Sequence, residues 1–139
     1  MTNNATRNTI HLLSREIIGA AIEVHKEIGP SALESVYELC LCEEFRLRGI
    51  GFEKQKPIPL RYKHIAISKS LRCDIVVENL IICELKTVEH ILPVHEAQII
   101  SYLRLSGLPK GLILNFNSAR MANGIKAYVG HSFAQLSDL

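Results

Sequence analysis

The sequence predicts an α/β fold: helical periodicity fills the first third of the chain, β-branched extended runs fill the middle, and glycine and proline mark the change. In the first helix, read from Ile10 to Ile28, Ile17, Ala21, Val24 and Ile28 recur at spacings of 4, 3 and 4 and form one apolar stripe. Gly29-Pro30 stops it, and Ser31 opens a second helix that runs to about Arg48 before Gly49. Its expected buried stripe is Leu33, Val36, Cys40 and Leu47. Phe52 to Lys63 contains Pro57 and Pro59, which fit only an edge strand. Ile65 to Val77 and Leu80 to Thr87 read as a hairpin turning at Glu78-Asn79. Pro93 stands at the first position of a third helix that ends at Ser106, before Gly107. Gly111 to Phe116 is a short, central apolar strand. Asn117 to Gly124 is loop, and Ile125 to Val129 is a candidate last strand. The order ααβββαβ(β) gives a mixed β-sheet flanked by helices.

The chain has 139 residues, which suits one domain spanning 1–139, with the polar segment Met1 to Thr9 expected to fray. Charged residues make up 22% and hydrophobic residues 47%, the balance of an ordinary globular protein. The start lacks a basic segment followed by an apolar core, and no apolar run approaches the ~20 residues that span a bilayer. A cytoplasmic location with reduced thiols is the expectation. Cys40, Cys42, Cys73 and Cys83 form no C-x-x-C pair and read as small buried apolar residues.

The net charge is only +2, but its distribution is uneven. Arg46, Arg48, Lys54, Lys56, Arg61, Lys63, Lys69 and Arg72 lie in one stretch whose only internal acid is Glu53. Such a run is an electrostatic footprint for a polyanion, or equally a solvated face with an aggregation-blocking edge strand.

The chemistry concentrates in R72-C-D-I-V-V-E-N-L-I-I-C-E-L-K86. Glu84 and Lys86 share one face of their strand because they are two apart. If Val77 pairs with Ile81, Asp74 falls opposite Glu84, which requires the three-residue loop Glu78 to Leu80. A one-residue slip would carry Asp74 to the other face. Two facing carboxylates repel, and a hard divalent cation removes that conflict. Mg²⁺ takes oxygen ligands and keeps water and phosphate positions, and a lysine beside it can orient the water. Asp, Glu and Lys together make a minimal phosphodiesterase site. A plain Glu84–Lys86 salt bridge is the rival explanation, but both charges interrupt an apolar run where a core strand favours Val or Ile.

Three helices add candidates. His95, Gln98 and Tyr102 fall on one face of the third helix, where Gln98 and Tyr102 could donate to a phosphate. Glu34 either reaches the metal site or closes a capping box with Ser31. His25 lies beside the apolar stripe of the first helix.

The run G29-P-S-A-L-E-S-V-Y37 resembles the signature of the GxxExxY protein family, placed in the PD-(D/E)XK nuclease-like superfamily. The resemblance continues through I18-G-A-A-I-E-V-H25, R72-C-D74, E84-L-K86, H95-E-A-Q98-I-I-S-Y-L-R-L-S-G107 and L114-N-F-N117. It implies a PD-(D/E)XK nuclease-like core and a Mg²⁺ or Mn²⁺ phosphodiesterase ancestry. Asp74 matches the superfamily's metal-binding aspartate, Glu84 and Lys86 its E-x-K, and Glu34 its acid on the N-terminal helix. The backbone carbonyl of Leu85 is implied as a further ligand, and His25 as a looser one. Gln98 and Tyr102 resemble the Q-x-x-x-Y element of RecB-type exonucleases. Ser31 departs from the glycine usual in the family.

The expected function is a metal-dependent, exonuclease-like nuclease. Lys86, Glu84, Asp74, Gln98 and Tyr102 are its catalytic group. Arg46, Arg48, Lys54, Lys56 and Arg72 would track nucleic acid, DNA in preference to RNA, with no membrane partner. Homodimerisation is left open. The alternatives are a nuclease-like fold that binds nucleic acid or protein without cutting, and an α/β protein whose polar residues are only structural.

Overall fold

A computed structural model describes residues 5–138, the side chains of residues 68–70 excepted. Helix α1 spans Arg7–Ile28, and Thr6 caps it by accepting the Thr9 backbone N–H at 3.0 Å. It buries Ile10, Ser14, Ile17, Ala20, Ala21 and Val24. Ile28, the expected end of the stripe, is 40% exposed.

Helix α2 spans Glu34–Leu47 and departs from expectation at its start. Leu33 is the N-cap residue and no side chain caps it, so Ser31 and Glu34 form no capping box. Tyr37 takes that role in shaping the turn: its hydroxyl receives the Ala32 N–H at 3.1 Å and donates to the Gly29 carbonyl. Tyr37, Leu41 and Phe45 therefore form the buried stripe, one residue out of phase with the expected one. Leu33 and Leu47 are each 73% exposed.

The strands are β1 (Phe52–Tyr62), β2 (Ile65–Val77), β3 (Ile81–Lys86), β4 (Lys110–Asn115) and β5 (Ile125–Val129). Among the described residues they make one five-stranded sheet in the order β1-β2-β3-β4-β5. Only the β3–β4 pair is parallel, and helix α3 (Pro93–Ser106) supplies the crossover that a parallel pair needs. Pro57 and Pro59 lie on the edge strand β1, whose register shifts between Ile58 and Leu60. A 3₁₀ turn, Met121–Gly124, precedes β5, and a short helix α4 (His131–Ala134) follows it. No helix among the described residues is long and apolar enough to cross a membrane.

Each face of the sheet carries its own apolar cluster. Helices α1 and α2 pack on Ile75, Val77, Ile81, Cys83, Leu85, Leu112 and Leu114. Ile99, Tyr102 and Leu103 of α3 pack on Ile58, Cys73, Val76, Ile82 and Ile113. Strands β3 and β4 alternate cleanly between these faces, as a pleated strand must. The β1–β2 ribbon does not. Phe52 joins the α1/α2 side and Ile58 the α3 side, although both are even-numbered; Ile75 and Cys73 divide in the same way. The ribbon turns over between these pairs. Gln55, with φ of +52°, and Asp74 face each other at that point, between Lys54↔Ile75 and Lys56↔Cys73.

Candidate metal and phosphate site

The β2–β3 turn sets the register. Glu78 and Asn79 adopt positive φ of 51° and 54°, and Leu80 N–H bonds to the Val77 carbonyl at 2.9 Å. Val77 then pairs with Ile81, Val76 with Ile82 and Ile75 with Cys83. The next positions are Asp74 and Glu84.

At that step the ladder opens. Continued pairing would send the Leu85 N–H to a backbone carbonyl of β2. It goes instead to Asp74 Oδ2 at 2.9 Å, while Glu84 Oε1 receives the Asp74 backbone N–H at 3.4 Å. The two carboxylates thus replace ladder carbonyls between the strands. An extended residue projects its N–H and C=O to the same side, so Leu85 presents its carbonyl toward Asp74 as well. Lys86 faces the other way along the backbone, its carbonyl receiving the Phe116 N–H at 2.9 Å.

Glu84 is only 4% exposed. Burial, and then the Asp74 carboxylate beside it, push its pKa up to about 9, with Lys86 pulling weakly the other way. Glu34, at the first turn of α2, is raised by burial, then by Asp74 and Glu38, and lowered by Lys86. Glu34, Glu38, Asp74, Glu84 and Lys86 therefore share one electrostatic neighbourhood. Lys86 makes no ion pair among the described residues, so it does not form a plain salt bridge with Glu84.

On α3, the Gln98 amide donates to the Tyr102 hydroxyl at 2.9 Å, leaving the phenolic hydrogen free to donate onward. Burial, followed by the Glu84 charge, raises the Tyr102 pKa and keeps that hydrogen in place. His95 does not join them: its Nδ1 accepts the Leu92 N–H at 3.0 Å and closes the start of the helix. His25 bonds to the Ser118 carbonyl at 2.7 Å, and no hydrogen bond or ion pair links it to the acids.

The basic run is more neutralised than its sequence suggests. Arg46 pairs with Glu43 and lies over the Phe52 ring, Arg48 pairs with Glu44 and Glu16, and Lys56 pairs with Glu53. Those partner acids, Glu53 apart, lie upstream of the stretch, where a count within it misses them. Lys54 and Arg72 are exposed and make no ion pair among the described residues. The Lys69 side chain lies outside the described residues.

All four cysteines are free. Cys73 is pushed up to about 12 and Cys83 higher, both first by burial and then by the Glu84 charge, so neither offers a thiolate at neutral pH.

Gln55 escaped the sequence reading, Glu38 entered it only as a neighbour of Glu34, and Asn115 only within the L114-N-F-N117 run. Gln55 donates to Glu38 at 3.0 Å, tying β1 to α2. Asn115, buried, clamps the segment after Lys86 by bonding the Val88 carbonyl at 2.8 Å and the Val88 N–H at 3.1 Å. Nothing local marks Gln55 or Glu38; Asn115 at least interrupts an apolar strand.

The donor set suits a hard cation. Two carboxylates lie side by side, and the extended backbone turns the Leu85 carbonyl to the same gap. Among the described residues no three His, Cys, Asp or Glu side chains are placed to hold a metal ion. A bound cation would therefore keep water and substrate oxygens, as Mg²⁺ commonly does.

A five-stranded mixed sheet with helices on both faces and an acid–acid–lysine group at an opened strand pair defines a nuclease-like α/β protein. The chain belongs to the PD-(D/E)XK nuclease superfamily, whose family model matches residues 11–128. Members of that superfamily generally use divalent metals. No curated protein and no solved structure matches the chain significantly.

Proposed function

We propose that this protein is a Mg²⁺- or Mn²⁺-dependent nuclease that hydrolyses nucleic-acid phosphodiesters, exonuclease-like in mode, with DNA as the favoured substrate. The observation that carries the reading is the opened β2–β3 ladder, where Asp74 and Glu84 meet beside the Leu85 carbonyl and Lys86. Asp74, Glu84 and the Leu85 carbonyl would hold the cation, and Glu34 a second ion or its water. When bound, the metal lowers the pKa of its water and neutralises charge on the phosphoryl group. Lys86 Nζ positions the attacking water and stabilises the negative charge that develops on the phosphate oxygens. Gln98 and Tyr102 donate to the phosphate and fix its orientation. Lys54 and Arg72, which make no ion pair among the described residues, are the cations best suited to the nucleic-acid backbone, and their contribution weakens with salt.

The test is a cleavage assay on single-stranded DNA, double-stranded DNA and RNA with Mn²⁺, run beside Lys86→Ala. Cleavage by the wild type and none by the variant, with nucleic-acid binding retained, supports the reading. Binding without cleavage in both proteins would instead support a non-catalytic module.

A further inference from the structure

We propose that Gln55 is the positioning residue of this site: its left-handed backbone turns the β1–β2 ribbon over at Asp74, and its side chain moors α2 through Glu38.

Among the described residues four other than glycine have positive φ, and Lys63, Glu78 and Asn79 sit at turns. Gln55 alone stands inside a strand, with φ of +52°. A side chain there is strained, and such strain persists only where the surroundings enforce it. Its position opposite Asp74 gives the strain a use. In an uninterrupted ribbon Asp74 would stand upright on the pleat, and the Leu85 N–H would pair with backbone. With the ribbon inverted at Gln55 and Asp74, the Asp74 carboxylate lies between the strands and receives that N–H.

The second half of the role is the side chain. Gln55 Nε2 donates to Glu38 Oε2 at 3.0 Å. Glu38 stands one helical turn beyond Glu34 on the same face of α2. The bond ties the inverted strand to the helix that carries Glu34, whose charge senses Asp74, Lys86 and Glu38. One residue thus couples the placement of Asp74 to that of Glu34.

The consequence for metal affinity rests on the reading of Asp74, Glu84 and Leu85 as cation ligands; the placement of Asp74 does not. The test uses the full chain and two readouts: hydrogen exchange of the Leu85 amide without metal, and Mn²⁺ affinity by calorimetry. Gln55→Val, β-branched and averse to positive φ, is expected to speed Leu85 exchange and weaken Mn²⁺ binding, each by about tenfold or more. Gln55→Gly, at ease with positive φ, keeps the Leu85 protection of the wild type. Glu38→Ala leaves Leu85 protected and weakens Mn²⁺ alone, and Glu38→Gln, which retains the acceptor, restores it. If Gln55→Val does not fold, Gln55→Ala reads the same amide with a smaller change. A folded Gln55→Val or Gln55→Ala with wild-type Leu85 exchange overturns the proposal. A wild type that binds no Mn²⁺, with Leu85 still deprotected in Gln55→Val, sinks the metal reading and leaves the positioning role standing.

Discussion

The abutting Asp74–Glu84 pair makes a quantitative demand on metal binding. Glu84, ordinarily ionised above pH 4.5, is held up to about pH 9 by burial and by Asp74. Near neutral pH Glu84 therefore holds a proton, and a divalent cation must displace it to use both carboxylates. One released proton makes Mn²⁺ affinity rise about tenfold per pH unit from about pH 6 to about pH 8, or about 1.4 kcal/mol per unit. Above about pH 9 the dependence levels off. Calorimetry in buffers of different ionisation enthalpy counts the protons directly. The expected count is about one at neutral pH, falling to about zero in Glu84→Gln, which also binds more weakly. Wild-type binding that releases no proton would refute the assignment of both carboxylates to one ion. Stability without metal carries the same signature with its own sign. A carboxyl whose folded pKa is raised contributes stability fully below its unfolded pKa near 4.5 and loses it as pH rises through about 9. The metal-free melting temperature should fall across that window, and saturating Mn²⁺ should lift it most at the alkaline end.

Further tests address single residues. Lys86→Ala should lower the cleavage rate by about a hundredfold or more while Mn²⁺ affinity holds, measured by single-turnover hydrolysis and calorimetry. Asp74→Asn keeps an acceptor for the Leu85 N–H, so it should fold normally yet lose the Mn²⁺-induced rise in melting temperature; an unchanged rise would remove Asp74 from the ligand set. Tyr37→Phe should cost about 1–3 kcal/mol in urea denaturation, because it leaves the Ala32 N–H and the Gly29 carbonyl without their shared partner. Tyr102→Phe should lower cleavage without changing Mn²⁺ affinity, the outcome expected from the proposed role of the phenol as a phosphate donor.

Much of the sheet was legible because its signals are local. The Ile, Val and Leu runs, the prolines of β1, and Pro93 and Gly107 around α3 each act within a few residues, and the order of elements follows from them. The Asp74–Glu84 register was legible for the same reason: a three-residue loop fixes it. The start of α2 was not, because Tyr37 shapes that turn from within the helix and Ser31 leaves it uncapped. The phase of the α2 stripe was lost with it, since Leu33 and Leu47 look as apolar as Tyr37 and Leu41 do. Neutralisation of Arg46 and Arg48 depends on acids at Glu16, Glu43 and Glu44, outside the basic run. The inversion at Gln55 has no local signature, because glutamine is an ordinary residue and no glycine or asparagine marks the positive φ there.

The opened ladder also divides the sheet mechanically. Among the described residues strand β2 pairs with β3 only from Ile75 to Val77, whereas its pairs with β1 run from Phe52↔Val77 out to Tyr62↔Ile65. The hairpin beyond Ile58, carrying Arg61 and Lys63, therefore joins the rest of the described sheet through its root, where Ile58 and Cys73 pack against α3. With few neighbours at its tip, its amides there are expected to exchange before those at its root, where Asp74 and Glu84 hold their bonds across the strands.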